Sequence, residues 1–338
     1  MNERYPLPSI IMDHLILASG PPRSGTTLLA KILNNHDHIA TATDNSVYES
    51  WGVYYYRFRT GLCARLRLEQ MDSAQIQDHL MRYFYEDGFI LGIAPSRSVQ
   101  DCPPARWRPD PVLQESSLSL QMHGRPPKDT LGRRDVPYGR FQSDLRLCLK
   151  SPEIVFFLEV LAQALPKVQF VMVFRPIVEI AESMYRKGFE WKLASYHKRW
   201  AKEKDQLGRL VAPPGVPIEW QDLWRTVSDF QRCVIYATSF LRALVLGIEQ
   251  IPSERYFLYY HPRLCTSPRQ VLMAMAEFLQ VDSQGLVSYS SISTKKTNIG
   301  DELIHQYDEL STLLQTEIWE SKAHALAFSD HFSNETLE

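Results

Sequence analysis

Three short stretches of the chain carry side chains whose type and spacing suit the handling of anions. The first is Gly20-Pro21-Pro22-Arg23-Ser24-Gly25-Thr26-Thr27, a glycine-bracketed turn. The apolar run Ile16 to Ser19 precedes it and an amphipathic run follows, so it reads as a strand, a loop and a helix in succession. Loop amides and the positive end of the helix dipole would converge there on one phosphate or sulfate-like group. The second stretch, Leu145 to Lys150, is a short strand ending in a lysine. The third runs from Val168 to Gly188: a buried strand, Arg175 at its end, and a helix carrying Ser183. That is a second strand-to-helix anion site. A guanidinium can grip a phosphate through two parallel hydrogen bonds, and a hydroxyl on the helix adds another donor.

The first loop has the G-x-x-x-x-G spacing of a nucleotide-binding P-loop, but Thr26 stands where that motif requires lysine. Arg23 supplies positive charge from inside the loop instead. In nucleoside triphosphatases the missing lysine reaches the β- and γ-phosphates, so its absence counts against ordinary ATP chemistry. Taken alone, the spacing also fits a plain tight strand-to-helix turn.

Other elements must position these groups. A helix is predicted from about Gly25 to Asn35, with Leu28, Leu29, Ile32 and Leu33 on one stripe that packs it on the sheet. The segment His36 to Ser46 then returns the chain to the same edge of the sheet. Within it, Asp44 suits the cap of a helix starting at Ser46 or Val47, and His36 and His38 just past the helix end read as dipole partners or surface residues. Tyr48, Trp51, Tyr54, Tyr55, Tyr56 and Phe58 make an aromatic cluster, which serves as core or lines a pocket. Prolines interrupt the chain from about 95 to 145, which reads as an irregular loop or a lid.

Order returns with a helix predicted from Pro152 to Leu165, and Pro176 and Gly188 suit the start and stop of the helix after Arg175. A further stretch, about 189 to 224, holds Trp191, Trp200, Trp220 and Trp224, which anchor a helix to the body or cover a site. One long helix is predicted from Leu223 to Ile251, its core stripe formed by Phe230, Val234, Ala237, Leu241, Leu244 and Ile248. A strand Arg255 to Tyr260, a helix Pro268 to Leu279 and a polar tail from about Ser329 complete the chain.

With 338 residues, 44% of them hydrophobic, the chain can bury a full core, and interleaved strands and helices favour a single α/β domain over 1–338. A net charge of -2 gives no bulk pull toward nucleic acid or membrane, so any anion site is a local concentration of charge. Five scattered cysteines without a C-x-x-C pair suit a reduced, cytoplasmic protein with no structural metal. The opening residues lack the pattern of a secretory signal, and Val234 to Ile251, which includes Arg242 and Glu249, reads as a buried helix rather than a membrane span.

Pro22-Arg23-Ser24-Gly25-Thr26-Thr27-Leu28 resembles the 5′-phosphosulfate loop of sulfotransferases that use 3′-phosphoadenosine 5′-phosphosulfate (PAPS), including bacterial small-molecule and tyrosylprotein-type members. Arg175 and Ser183, eight positions apart, match that family's 3′-phosphate signature in type and spacing. The resemblance implies a doubly wound three-layer α/β fold with a central parallel sheet and a P-loop-like turn. It implies PAPS as co-substrate, no metal, and a small-molecule acceptor whose hydroxyl or amine is sulfated. Pro22, Arg23, Ser24, Gly25, Thr26 and Thr27 would bind the sulfated end, and Arg175 and Ser183 the 3′-phosphate. Tyr259 and Lys296 would add to the donor site, while Lys150 and Arg23 would stabilise the departing phosphate.

Asp44 matches the family's glutamate, the general base for the acceptor, so it is the candidate base here, with His36, His38 and Glu49 as rivals. The aromatic residues from Tyr48 to Phe58 would then line the acceptor pocket, and the segments at about 95–145 and 189–224 would cover it. Pro152 occupies the place where cytosolic members carry a catalytic histidine, so the base must lie elsewhere. His261-Pro262 stands where two acids are usual. A homodimer is left open. The rival readings are a P-loop kinase of a small metabolite and a catalytically silent nucleotide-binding protein.

Overall fold

The computed structural model describes residues 15–36, 38–42, 146–150, 152–187, 212, 215–289, 292 and 298–327. Its centre is a five-stranded sheet of β1 (Ile16–Ser19), β2 (Ile39–Ala42), β3 (Arg146–Lys150), β4 (Gln169–Phe174) and β5 (Tyr256–Tyr260). The strand order is β2-β3-β1-β4-β5 and every pairing is parallel. Parallel strands bury both faces, which is why they read in sequence as short continuous apolar runs.

Side chains alternate between the faces. Leu15, Leu17, Phe170, Met172, Phe174 and Leu258 enter one core; Ile16, Ala18, Val171, Val173, Phe257 and Tyr259 enter the other. The second core is covered by α1 (Thr26–Asn34), α7 (Pro268–Leu279) and α8 (Ser283–Val287). The first lies under α2 (Leu158–Ala164), α3 (Ile177–Arg186), α5 (Asp229–Ile248), α9 (Asp301–Leu314) and α10 (Thr316–Leu326). The expected three-layer α/β architecture with its central parallel sheet is therefore present. Two short helices, α4 (Gln221–Thr226) and α6 (His261–Thr266), flank these layers.

Two helices differ from their sequence expectation. The segment after β3 begins as a 3-10 turn, Pro152–Phe157, before α2 starts at Leu158. The long helix expected from Leu223 breaks at Ser228, where the Ser228 hydroxyl accepts from the Gln231 amide and the Gln231 side chain accepts from the Ser228 amide. This reciprocal capping box starts α5 anew, so hydrophobic spacing that ran on through the break concealed a boundary set by hydrogen bonding. All six stripe residues from Phe230 to Ile248 are buried, as expected.

Helix α5 is long and apolar enough to cross a membrane, but it packs against α2, α3, α9 and α10 as the central helix of one core. Trp220 and Trp224 are buried and anchor this region; Trp191 and Trp200 lie outside the described residues. Arg242 on α5 lies between the rings of Trp220 and Trp319, 5.4 and 5.6 Å from their centroids, which ties α10 to the body.

Candidate functional site

Because all five strands run the same way, their carboxyl ends share one edge. The register aligns Ala18 with Lys150, Ser19 with Met172, Phe174 with Tyr260 and Ala42 with Leu149. The loop after β1, Lys150, Arg175 and His261 are thus brought to the same edge. From there α1 packs on one face of the sheet and α3 on the other, which opens a crevice between the ends of β1 and β4. In open α/β sheets this switch in direction is where ligands bind.

The loop is fixed on the β4 side. Ser24 Oγ donates to the carbonyl of Val173 at 3.3 Å, and the Ser24 amide closes a turn onto Pro21 O at 3.1 Å. Gly20 passes so close that an added Cβ would lie 2.0 Å from Val173 O, so the position admits only glycine. Arg23 adopts a left-handed backbone, φ 69°, rare for a residue with a side chain and a form of strain that clusters at functional sites. No side chain caps the start of α1, whose N-cap is Gly25 and whose first turn holds no acid. Its first amides remain directed at the crevice, with the positive end of the dipole behind them.

Across the crevice, Arg23 Nε donates to Ser183 Oγ at 3.1 Å. Burial, and after it the nearby Arg175, pulls the Arg23 guanidinium below its ordinary pKa. Arg175 forms an ion pair with Glu179 one turn along α3. Arg23, expected at the sulfated end of a donor, therefore meets Ser183, expected at its 3′-phosphate end, and both belong to one cluster with Arg175. Lys150, only 2% exposed, ends β3 beside Ala18, within the same edge.

His261 joins this cluster from β5. An added Cβ on Gly25 would lie 2.3 Å from its Cδ2, so the imidazole edge packs directly on the start of α1. Its Nδ1 faces the thiol of Cys265 at 3.8 Å. Burial, and then Arg175, lowers its pKa to about 4. Tyr259 is 1% exposed within the core under α1, and its buried hydroxyl has no hydrogen-bond partner among the described residues. The neighbouring Tyr260 is the tyrosine held near Glu179, Glu320 and Arg175; its pKa is raised by burial first and by the two acids next.

Glu320, on α10, accepts the amide of Ile177 at 2.6 Å and so occupies the start of α3; burial raises its pKa. His324 packs edge-on against Phe174 and Tyr260. Sequence spacing gives no hint that Glu179, Tyr260, Cys265 and Glu320 gather around Arg175 and the start of α3, and for His261 the unusual His261-Pro262 pair is the one local signal.

Two expected rivals for the base are elsewhere. His36 and His38 precede β2 at the amino edge, and the four residues from His38 to Ala42 carry the chain about 13 Å away from it. His36 is 4% exposed, accepts the His38 amide on Nδ1 at 3.1 Å and meets Asp282 O with Nε2 at 3.0 Å. Both ring nitrogens are committed, so the histidine braces α8. Gly285 leaves room for it, since an added Cβ would lie 2.7 Å from its ring. Asp44, Glu49 and Lys296 lie outside the described residues. A cavity of about 240 Å³ between the 3-10 turn, α2 and α5 shares no lining residue with the Arg23 cluster.

Residues 16–284 match the Sulfotransferase family, and the chain belongs to it. Among solved structures, it is similar to a sulfotransferase from Alicyclobacillus acidocaldarius at 13% identity, covering 92% of this chain and 94% of that one, with a TM-score of 0.41. The sulfotransferase domain of the Synechococcus olefin synthase gives 14% identity over 92% of each chain and a TM-score of 0.39. Sulfotransferase STF1 from Mycobacterium tuberculosis gives 15% identity over 92% of this chain and 76% of that one, at 0.40. No curated protein matches the chain. The family match makes it a sulfotransferase by class, a group-transfer enzyme. Helices α9 and α10, with Glu320 and His324, lie beyond the family match.

Proposed function

We propose that the chain moves a sulfuryl group from PAPS to the hydroxyl, or amine, of a small-molecule acceptor. The observation that carries this reading is the convergence of Arg23, Ser183 and Arg175 on the crevice at the start of α1. Two guanidiniums brought together in partial burial repel one another, and a ligand with two anionic groups relieves that repulsion. The donor set of amides, hydroxyl and guanidiniums fits phosphate and sulfate oxygens.

PAPS supplies an activated sulfuryl group. The loop amides and Arg23 would hold its sulfated end, and Arg175 and Ser183 its 3′-phosphate. The acceptor oxygen attacks sulfur in line, the bond from sulfur to the bridging oxygen breaks, and that electron pair stays on the departing phosphate. Lys150 lies at the carboxyl edge to meet this growing negative charge, where a preorganised cation in a poorly solvated site is most effective. The acceptor proton passes to a carboxylate. Asp44, which matches the family's glutamate base in sequence, is the candidate.

The test is incubation with PAPS and a panel of hydroxyl and amine acceptors, reading sulfated product by mass, alongside thermal stabilisation by 3′-phosphoadenosine 5′-phosphate. Product and stabilisation are expected. Stabilisation by ATP with magnesium, but not by 3′-phosphoadenosine 5′-phosphate, would overturn the reading. Donor binding without turnover on any acceptor would point to a silent nucleotide-binding protein.

A further inference from the structure

His261 stands at the junction of β5 and α6 with its ring against Gly25, the residue that opens α1. That contact depends on glycine: any side chain at position 25 would meet the imidazole. The two ring nitrogens have different surroundings. Nδ1 lies 3.8 Å from Cys265 Sγ, one helical turn away, a spacing that suits the thiol as donor and Nδ1 as acceptor. That arrangement leaves the proton of the neutral ring on Nε2. Nε2 has no hydrogen-bond partner among the described residues, and it lies on the ring edge that faces Gly25, 3.0 Å from where a Cβ there would be.

Resting on the PAPS reading above, we propose that His261 is a donor-site residue, its Nε2–H hydrogen-bonding the anionic group seated at the start of α1. The physical case is one of charge. Arg23 and Arg175 already place two cations at the crevice, and Arg175 is close enough to add to the burial that pulls the Arg23 guanidinium below its ordinary pKa. A third cation there would add repulsion, whereas a neutral imidazole adds a directional donor and no charge. Burial and Arg175 together keep the ring neutral at physiological pH, as such a donor requires. The role is one of binding; no bond is made or broken at the ring.

The test is calorimetric titration of 3′-phosphoadenosine 5′-phosphate into the full chain and into two variants, with melting curves for all three proteins. His261→Ala removes the donor and is expected to weaken binding by about 10-fold or more, the usual effect of losing a hydrogen bond to a charged group. His261→Gln, whose amide nitrogen can occupy the place of Nε2, is expected to stay within about 3-fold of the parent. Unchanged affinity in His261→Ala would overturn the proposal alone. Equal losses in both variants, with lowered melting temperatures, would show a packing role and overturn it as well. If the parent chain does not bind the nucleotide at all, the PAPS reading falls and the proposal falls with it.

Discussion

Arg23 Nε donates a hydrogen bond to Ser183 Oγ, 3.1 Å away and 160 residues further along the chain. The bond spans the crevice between the ends of β1 and β4, so one residue of each expected half-site already touches the other. An anion taken up by Ser183 must share or displace this bond, which couples the two ends of the donor through a single guanidinium. Arg23 holds its position with a left-handed backbone, φ 69°. Arg23→Gly relieves that strain, a gain of about 1 kcal/mol offset by the entropy of glycine, so the melting temperature should change little. Affinity for 3′-phosphoadenosine 5′-phosphate should nevertheless fall by about 10-fold or more, since hydrogen bonds from a charged group are lost. A variant that melts normally and binds normally would remove Arg23 from the site.

Arg175→Ala should weaken binding of the same nucleotide by about 10²-fold, the loss of a bidentate charged contact, while circular dichroism stays that of a folded chain. Glu179 then loses its ion-pair partner and faces the incoming phosphate with its own charge. Arg175→Ala/Glu179→Gln should recover part of the loss. Parent-like affinity in the single variant would refute the phosphate role of Arg175.

Lys150 is buried at the end of β3, so Lys150→Met fills the same space without charge. If the lysine meets charge on the departing phosphate, single-turnover sulfation should slow by about 10² to 10³-fold while nucleotide affinity changes far less. Loss of affinity with an unaltered chemical step would make Lys150 a binding residue instead.

Asp44→Asn should slow the chemical step by about 10²-fold or more if Asp44 takes the acceptor proton. Near-normal turnover would transfer the role to Glu49, because His36 and His38 stand at the opposite edge of the sheet with the His36 ring committed to Asp282 and the His38 amide.

The His261 ring is held at a pKa of about 4, against 6.5 ordinarily. Between these values the unfolded chain binds a proton that the folded chain excludes, so its contribution to stability is complete above about 6.5 and declines as pH falls toward 4. Denaturant midpoints measured at pH 7.5 and pH 5 should therefore differ less in His261→Gln than in the parent. Identical differences in the two proteins would show that His261 does not titrate across this window.

The sequence by itself determined the loop, the strands and the order in which they appear. Glycine, proline and apolar spacing are local signals, and parallel strands buried on both faces announce themselves as apolar runs such as Gln169–Phe174. It also placed Arg23 in the loop after β1, Lys150 at the end of β3, Arg175 just past β4 and Ser183 on the helix that follows, which is where the structure has them.

The break at Ser228 was not legible, since a capping box interrupts a helix without interrupting its apolar stripe. Only the tertiary structure decided which partners share the crevice. The order β2-β3-β1-β4-β5 brings β4 beside β1 and β5 beside β4, and so sets His261 on Gly25 and Ser183 on Arg23. The parallel direction of β2 puts His36, just before it, at the amino edge, although it lies close to the loop in sequence. Contacts between residues more than a hundred positions apart depend on strand order, and strand order is a property of the assembled sheet rather than of any segment in it.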